Sequence, residues 1–467
     1  MRPASSRLTP VALAMAAALT LAACATPPAP PPPATPVPEH FKEDGPWKQA
    51  HGDVQRVPDR WWTLFGDPVL DALEERLVID NEGLKAAVAQ VAAAQAALRS
   101  AEAAQGPTLG LQADASRAAA PTATGRRNTA NTYTMGAEAS WEVDLWGRLR
   151  QATQAAQARA TASAQDLAAA RLSASATLAE TYFALRTAEA QAALLARTEE
   201  ADQRVLQLTR SRHEAGVVAE SDVLQARTQL DTIKAQREEA QLQRTQLEHA
   251  LAVLVGRAPS DFTLDAGELP AQTPRVPELL PATLLERRPD IAAAQARVAA
   301  AWHDIGAADA AYFPDVSLSG SAGYKSATLS RLVSAPNLVW ALGASITQAV
   351  FDGGARDAAR ASARANADIA AANYRQAVLT AFQEVEDNLA AAQALQREAA
   401  LQGQALDAAQ RNVLVTEAQY RAGTVSFLNL ASAQAAELSA RSTLVQLRQR
   451  ELAAVATLLK NIAGRWA

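Results

Sequence analysis

Cysteine, glycine, proline and aromatic residues are all scarce in this sequence of 467 residues. Its single cysteine, Cys24, excludes an intramolecular disulfide and a metal cage built from cysteines. The 21 glycines and 23 prolines make up 44 residues, which is below the usual share of roughly 12%, and aromatic residues make up only 5%. Because glycine and proline mark turns, their scarcity predicts long regular elements joined by few turns.

An excess of charge of one sign is also missing. The 44 lysines and arginines nearly balance 49 aspartates and glutamates, and the formal charge is −5. Because the charges are also interspersed along the chain, a basic nucleic-acid-binding surface is excluded.

The five histidines are His40, His51, His213, His249 and His303. They lack metal-binding spacing, and no phosphate-binding loop, dinucleotide fingerprint or nucleophile elbow occurs. We therefore expect no enzyme activity, no cofactor and no metal site.

The N-terminus has the features of an export signal. Two arginines precede an apolar run over residues 11–23, which is too short to span a membrane and has the length of a signal-peptide core. The run ends in Leu21-Ala22-Ala23-Cys24, which resembles a bacterial lipobox and predicts a covalent lipid such as palmitate on Cys24. The alternative is an ordinary signal with a chance cysteine. We assign 1–23 to the signal peptide and 24–60 to a Pro-rich tether.

The body of the chain repeats itself at an offset of 207 residues. Three landmark pairs share this offset: Pro107 with Pro314, Gly147 with Gly354, and Gly216 with Gly423. Each repeat is predicted to consist of a helix, two strands, a very long helix, a turn and a long helix. The first repeat covers 61–257 and the second 277–467. A linker over 258–276 separates them, and its Phe262-Thr263-Leu264 run predicts a short strand.

Four segments alternate apolar and polar residues with a period of two, which predicts strands at about 107–117, 132–146, 314–325 and 337–350. Their length and one apolar face are typical of transmembrane strands. Aromatic residues near the segment ends are predicted to form interfacial belts. These residues are Tyr133, Trp141, Trp146, Tyr324 and Trp340. The alternative is a half-buried sheet outside a membrane.

Four strands are too few to close a barrel, and lipid tolerates no open sheet edge. The sequence therefore predicts a homotrimer whose twelve strands form one barrel. Glu142 and Asp144 are predicted to lie two residues apart on one strand face, and one interpretation is a glycosidase-like carboxylate pair. A polar barrel lining explains this pair better.

The remaining sequence predicts two helical hairpins. No proline occurs between Gly147 and Pro259, which predicts a first helix over about 150–214 with a length of roughly 100 Å. Its partner begins near Glu220 and keeps the 3,4 apolar spacing of an antiparallel coiled coil. The second repeat has the same pattern over about 355–421 and 425–462, and the two hairpin tips fall near 215–220 and 422–427.

Several runs together resemble the TolC-like outer-membrane efflux proteins, in particular their NodT-type lipoprotein branch. The runs are Trp61-Trp62 with Phe65-Gly66-Asp67-Pro68, Trp141-Glu142-Val143-Asp144-Leu145-Trp146-Gly147-Arg148, Leu284-Leu285-Glu286-Arg287-Arg288-Pro289-Asp290-Ile291, Ala311-Tyr312-Phe313-Pro314, Phe351-Asp352-Gly353-Gly354 and Phe382-Gln383-Glu384-Val385-Glu386-Asp387. The resemblance implies a mainly helical trimer with a twelve-stranded outer-membrane barrel and a twelve-helix periplasmic tunnel. It also implies two partners, a periplasmic adaptor and an inner-membrane RND-type pump.

The resemblance also assigns a role to the hairpin tips at Gly216 and Gly423, which would form the adaptor-facing end of the tunnel. The family often places acidic residues six and nine positions after the second tip glycine, whereas this chain has Asn429 and Ser432 there. The first tip keeps Asp222 at the sixth position, where it is either a gating residue or a helix-start residue favoured by the helix dipole.

Arg212 and Arg421 flank the two tips, and each is either an adaptor contact or a solvated charge. The leading functional prediction is a passive exit duct of a tripartite efflux system, anchored by lipid in the bacterial outer membrane. The alternatives are the outer channel of a type I protein-secretion system and a structural coiled-coil lipoprotein that conducts nothing; an envelope enzyme is weakened by the missing site. A duct contacts its cargo too loosely to leave a motif, so no particular cargo is predicted.

Overall fold

The computed structural model describes residues 58–121, 127–270, 273–274 and 288–462. The predicted signal peptide, Cys24 and most of the predicted tether lie outside the described residues, as does the Leu284–Arg287 part of the resemblance.

The described chain is mostly helical and contains one four-stranded antiparallel sheet. The helices are α1 (Pro68–Asp80), α2 (Glu82–Ala103), α3 (Arg148–Glu214), α4 (Glu220–Leu254), α5 (Pro289–Ala310), α6 (Ala355–Arg421) and α7 (Phe427–Ile462), and the strands are β1 (Thr108–Pro121), β2 (Arg127–Glu142), β3 (Asp315–Ser326) and β4 (Leu338–Thr347). Short 3-10 turns occupy Trp61–Phe65, Pro259–Asp261, Leu329–Arg331 and Ala335–Asn337. None of the described helices combines the length and the apolar character needed to cross a bilayer.

Two compact units are present. The sheet unit comprises the described residues within 90–164 and 293–375, and the helical unit comprises those within 58–89, 165–292 and 376–462. The long helices α3 and α6 each contribute residues to both units.

The sheet has the strand order β1-β2-β3-β4, which places β1 and β4 at its two edges. Strand β2 ends at Glu142, four residues before the predicted end of the strand at about 146. Beyond it the Leu145 N–H donates back to the Val143 carbonyl at 2.9 Å, so the chain turns although the alternation continues. The Trp146 ring then stacks on Phe313 at 4.9 Å and donates through Nε1 to the Pro314 carbonyl at 2.8 Å.

Two glycines allow β2 and β3 to approach closely. Gly136 and Gly323 are directly paired across the strands. A Cβ added at Gly136 would lie 2.7 Å from the Ala322 carbonyl oxygen, and one added at Gly323 would lie 2.5 Å from the Gly136 Cα. Both contacts are with backbone, which cannot move aside without shifting the strands.

We expect Gly136→Ala and Gly323→Ala each to destabilise the sheet by about 1–3 kcal/mol, the usual cost of overpacking. Hydrogen exchange followed by mass spectrometry should show faster exchange in peptides from β2 and β3. Gly110→Ala is the matched control, because the nearest atom of the described residues to its Cβ would be the Glu138 carbonyl oxygen at 4.0 Å. Equal protection in all three variants would contradict the close approach.

The predicted strand at Phe262-Thr263-Leu264 is wrong, because these residues have no strand structure and follow the Pro259–Asp261 turn. The backbone of Leu264 is bound by side chains of α4 and not by a neighbouring strand. Glu248 accepts from its N–H at 2.8 Å, and Arg244 donates to its carbonyl at 2.6 Å. Glu189, whose side chain is 8% exposed, joins the cluster by pairing with Arg244 at 3.2 Å and with Arg186 at 2.7 Å.

The Trp-Trp and Phe-Gly-Asp-Pro runs form one end of the helical-unit core. Trp61 is buried, its ring meets Phe65 edge-on at 6.3 Å, and Phe65 in turn contacts Phe183 at 5.0 Å. Asp67 caps α1 by accepting from the N–H groups of Val69 and Leu70, and it also accepts a hydrogen bond from the Tyr182 hydroxyl at 2.6 Å. The cap thus fixes the start of α1 against α3.

Two runs that are far apart in sequence meet at Arg288 in the same unit. Its guanidinium pairs with Asp290 at 2.7 Å and with Glu384 at 2.8 Å, and it donates to the Asn461 amide oxygen at 3.1 Å. Arg288 is buried, so these partners satisfy a charge that would otherwise be costly. The arginine thereby joins the start of α5 to α6 and to the end of α7.

Candidate functional site

The candidate site is the hairpin tip, defined as the C-terminal ends of α3 and α6, the starts of α4 and α7, and the two turns between them. Both turns use a left-handed glycine, with φ of 73° at Gly216 and 78° at Gly423. After each glycine a backbone N–H reaches back to close the helix end: Val217 donates to Arg212 at 2.8 Å, and Thr424 donates to Gln419 at 3.0 Å. The two tips therefore have the same local structure.

A small apolar cluster holds the two hairpins together at the tip. Tyr420 is only 2% exposed and contacts Phe427 edge-on, with ring centroids 6.0 Å apart. The other buried members are Leu206, Ala226, Leu230 and Leu430. The Tyr420 hydroxyl lies 2.9 Å from the Thr209 hydroxyl, so the one polar atom of the ring is satisfied inside the cluster.

Arg212 links the first tip to the second. It donates to the carbonyl oxygens of Tyr420 at 2.7 Å and Arg421 at 3.1 Å, and its guanidinium lies 5.0 Å from the centre of the Tyr420 ring. These contacts use the exposed carbonyls at the end of α6. Arg421 itself pairs with Glu417 one helical turn earlier. An adaptor contact at Arg212 or Arg421 stays a prediction.

The two positions six residues after the tip glycines both lie in the first turn of a helix. The Asp222 N–H donates to Ala219 at 3.1 Å, and the Asn429 N–H donates to Ser426 at 3.2 Å. The Asn429 amide oxygen also accepts from the Ser426 hydroxyl at 3.2 Å. These contacts place both residues at helix starts, and a gating role for Asp222 or an aperture role for Asn429 stays a prediction.

Sequence reasoning did not identify Thr209 and Tyr420 as tip residues. The available signal was the position of Tyr420, one of six tyrosines in the chain, three residues before Gly423. Its partner could not be read from the sequence, because Thr209 lies 211 residues away.

The predicted belt aromatics of the sheet unit occupy different environments. Trp141 donates from Nε1 to the Gln105 carbonyl at 2.8 Å, Trp146 lies in the turn after β2, and Trp340 on β4 is largely exposed. Tyr133 is opposite Ser326, and Tyr324 is opposite Met135. Their role as an interfacial belt stays a prediction.

The prediction that Glu142 and Asp144 share a strand face is wrong, because β2 ends at Glu142 and Asp144 lies beyond it; both carboxylates are engaged by arginines. Glu142 pairs with Arg148, and Asp144 pairs with Arg150 at 3.3 Å. Arg148 also lies 3.7 Å from Asp315. Across the described ranges, no group of three or more His, Cys, Asp and Glu side chains is placed to hold a metal ion.

Comparison with known proteins gives a consistent result. A family model described as "Outer membrane efflux protein" matches residues 75–257 and 280–464. The pyoverdine export outer membrane protein OpmQ of Pseudomonas aeruginosa is 32% identical over 421 residues, which are 87% of this chain and 87% of that protein. The toluene efflux pump outer membrane protein TtgC of Pseudomonas putida is 31% identical over 424 residues, 89% of this chain and 87% of the relative.

The fold is also that of a solved channel. The structure of the outer-membrane channel OprN superposes with a TM-score of 0.85 at 31% sequence identity, and the match covers 93% of this chain and 99% of that one.

Proposed function

The chain belongs to the outer membrane efflux protein family, and we propose that it is the exit duct of a tripartite pump that conducts small molecules passively from the periplasm to the exterior. It is an outer-membrane efflux channel and not an enzyme. Energy for transport therefore comes from a partner.

The observation that carries the proposal is a sheet with one apolar and one polar face. Three successive rows across all four strands are apolar on the same face: Leu109, Ala139, Gly320 and Leu342; Leu111, Ala137, Ala322 and Trp340; and Ala113, Met135, Tyr324 and Leu338. Leu111 is 89% exposed and Leu342 is 81% exposed. The opposite face is polar on β2 and β3, with Glu138 and Ser321 in one row and Thr134 and Lys325 in another, and β4 adds Val339 and Ala341 to it. An exposed apolar face of this size marks contact with lipid or protein, and a polar opposite face suits a water-filled lumen.

A trimeric barrel accounts for the two edge strands. Since lipid leaves no room for unpaired strand edges, β1 and β4 of one copy would pair with those of its neighbours. Three copies supply twelve strands. A two-repeat origin is supported by the long helices, since α3 and α6 each have 67 residues and begin 207 positions apart, at Arg148 and Ala355.

The remaining parts of the proposal concern anchoring and partners. A lipid on Cys24 would hold the chain at the outer membrane through the Pro-rich tether, as the lipobox-like sequence indicates. A periplasmic adaptor would bind at the hairpin tips, and an inner-membrane RND-type pump would supply the energy. The names of OpmQ and TtgC, which refer to export and to an efflux pump, support a pump partner.

The cargo is proposed as small molecules and no narrower class. Two relatives of nearly equal identity are named for different cargoes, pyoverdine and toluene. Overall similarity therefore does not favour one of them for this chain.

The test is accumulation of dyes, detergents and metal salts in cells that lack the protein, with and without a plasmid copy. We expect raised accumulation that the plasmid reverses, and the compounds affected would name the cargo class. Unchanged accumulation together with loss of a secreted protein from the medium would instead establish a secretion channel. If neither changes, the proposed conduction of small molecules by this chain is contradicted. Light scattering of the detergent-purified protein should give three chains, and a stable monomer would contradict the shared barrel.

A further inference from the structure

The helical unit contains a cavity of about 380 Å³ between α3, α6 and α7. Its walls are partly aliphatic, with Leu194 and Val205 from α3, Val413 from α6 and Leu438 from α7. Asp202, Gln434 and Arg441 bring polar atoms to the same cavity. A volume of this order is enough for a small organic ligand.

Three buried polar atoms of cavity-lining residues lack a hydrogen-bond partner among the described residues. Asp202 is 4% exposed, and its Oδ2 is buried with no hydrogen-bond partner in the part of the chain that the structure describes. The same holds for the Oε1 of Gln434 and the Nε of Arg441. Such atoms are rare in folded proteins, because each costs about 1–3 kcal/mol. Two of the three, Asp202 Oδ2 and Gln434 Oε1, are acceptors, which indicates a hydrogen-bond donor that is absent from the chain itself, whereas Arg441 Nε is a donor.

The cavity lining carries four arginines and three carboxylates, and Asp202 is the one carboxylate of the three that has no ion pair within the described residues. The charged groups that face it are Arg197 and Arg204 from α3, Glu417 and Arg421 from α6, and Glu437 and Arg441 from α7. Arg421 pairs with Glu417, and Arg441 pairs with Glu437 at 2.6 Å. Arg197 and Arg204 are exposed, so water screens them. No residue within the described ranges forms an ion pair with Asp202.

We propose that this cavity binds a primary ammonium compound with an apolar body. The ammonium group would donate to Asp202 Oδ2 and Gln434 Oε1, while the aliphatic walls enclose the body. A charge-assisted hydrogen bond to a buried carboxylate is roughly twice as strong as a neutral one. The site lies between α3, α6 and α7 of the helical unit.

The interaction depends on pH through Asp202. Burial raises the pKa of Asp202 from 3.8 to about 6. At neutral pH the carboxylate is charged and attracts the ammonium group, whereas below about pH 6 it takes up a proton and loses this attraction. Binding should therefore weaken as the pH falls.

The test is calorimetric titration of the full, detergent-purified protein with 2-phenylethylammonium near pH 7.5 and near pH 5. The neutral analogue 2-phenylethanol reports binding that needs no charge. Asp202→Asn keeps the shape and removes the charge. Asp407→Asn is the matched control, because it removes an exposed carboxylate from α6 in the same unit. Gln434→Glu adds a second carboxylate to the cavity.

We expect the amine to bind at least tenfold more tightly than the alcohol near pH 7.5, with most of that preference lost near pH 5. Asp202→Asn should weaken amine binding tenfold or more, Asp407→Asn should leave it unchanged, and Gln434→Glu should strengthen it. Absence of binding, equal affinity for amine and alcohol, or undiminished binding by Asp202→Asn would overturn the proposal. If Asp202→Asn does not assemble, an unchanged affinity in Gln434→Glu would overturn it. Export in cells is a separate measurement, so this proposal and the duct function can fail independently.

Discussion

Replacing Glu74 by Gln is expected to stabilise the folded chain by about 3 kcal/mol at neutral pH. Glu74 lies on α1 and is 0% exposed. Burial raises the pKa of Glu74 from 4.5 to about 8, the Ser175 hydroxyl lowers it only in part, and the neighbouring Asp71 raises it further. The native chain must therefore keep this carboxyl group protonated at a pH where the unfolded chain ionises it.

The sign of the pH dependence follows from that difference. Because the folded state holds the proton more tightly, the contribution of Glu74 to stability is complete below pH 4.5 and is lost as the pH rises to about 8. Glutamine is neutral throughout and has nearly the same shape. The variant should therefore gain little below pH 4.5 and gain most above pH 8.

Denaturant or thermal unfolding of the two proteins at several pH values between about 4 and 9 measures this effect. Glu75→Gln is the matched control, because Glu75 is the next residue of α1 and its side chain is exposed. A surface change of this kind alters stability by about 0.5 kcal/mol or less. If Glu74→Gln destabilises the chain, or if its stability falls with pH as steeply as that of the wild type, Glu74 is not a buried neutral acid.

The helices could be predicted closely from the sequence. Residues 355–421 were expected to be helical and form α6 with the same bounds, and α3 begins at Arg148, two residues before the predicted start. In a proline-free segment with a sustained apolar spacing, the first and last residues that keep the spacing indicate where the helix begins and ends. Alternation with a period of two is weaker evidence for the end of a strand, because the alternation can continue through a turn. This is why the predicted second strand continued through Val143 to Trp146.

Contacts between distant segments were not predictable in the same way. Periodicity shows which face of a helix is apolar but not which helix covers it. Nothing in the sequence indicated that Arg288 would meet Glu384, or that Arg212 would cap the end of α6 at Tyr420. The burial of Glu74 and Asp202 was equally hidden, because single carboxylates in a charged helix are usually solvated.

The second large effect is expected at Gly256, where alanine should destabilise the chain by about 2–5 kcal/mol. Gly256 follows α4 with φ of 67°, and the next residue, Arg257, donates to the Ala252 carbonyl at 2.8 Å to close the helix. A Cβ at this position would lie 2.8 Å from the carbonyl carbon of Asp80 and closer still to its oxygen. A left-handed L-residue costs about 1–2 kcal/mol, and forcing backbone apart adds about 1–3 kcal/mol.

Hydrogen bonds of the next residue prevent the Asp80 backbone from moving away from such a side chain. Asp80 is the last residue of α1, and the next residue, Asn81, donates from its side-chain amide to the Leu254 carbonyl at 2.7 Å. The Asn81 amide oxygen accepts from the Leu84 N–H at 2.9 Å. Movement of Asp80 would therefore break the contact between the end of α4 and the junction of α1 with α2.

Gly66→Ala separates the two costs. Gly66 has nearly the same backbone conformation, with φ of 63°, but an added Cβ would meet no atom of the described residues within 4 Å. It should lose only the roughly 1–2 kcal/mol of backbone strain. Denaturant unfolding of both variants gives the contact energy as the difference between them. If both variants lose the same free energy of unfolding, backbone strain alone accounts for the effect at Gly256, and the junction of α1 with α2 can move to accommodate a side chain. A larger loss at Gly256 means that the end of α4 and the end of α1 are held together rigidly.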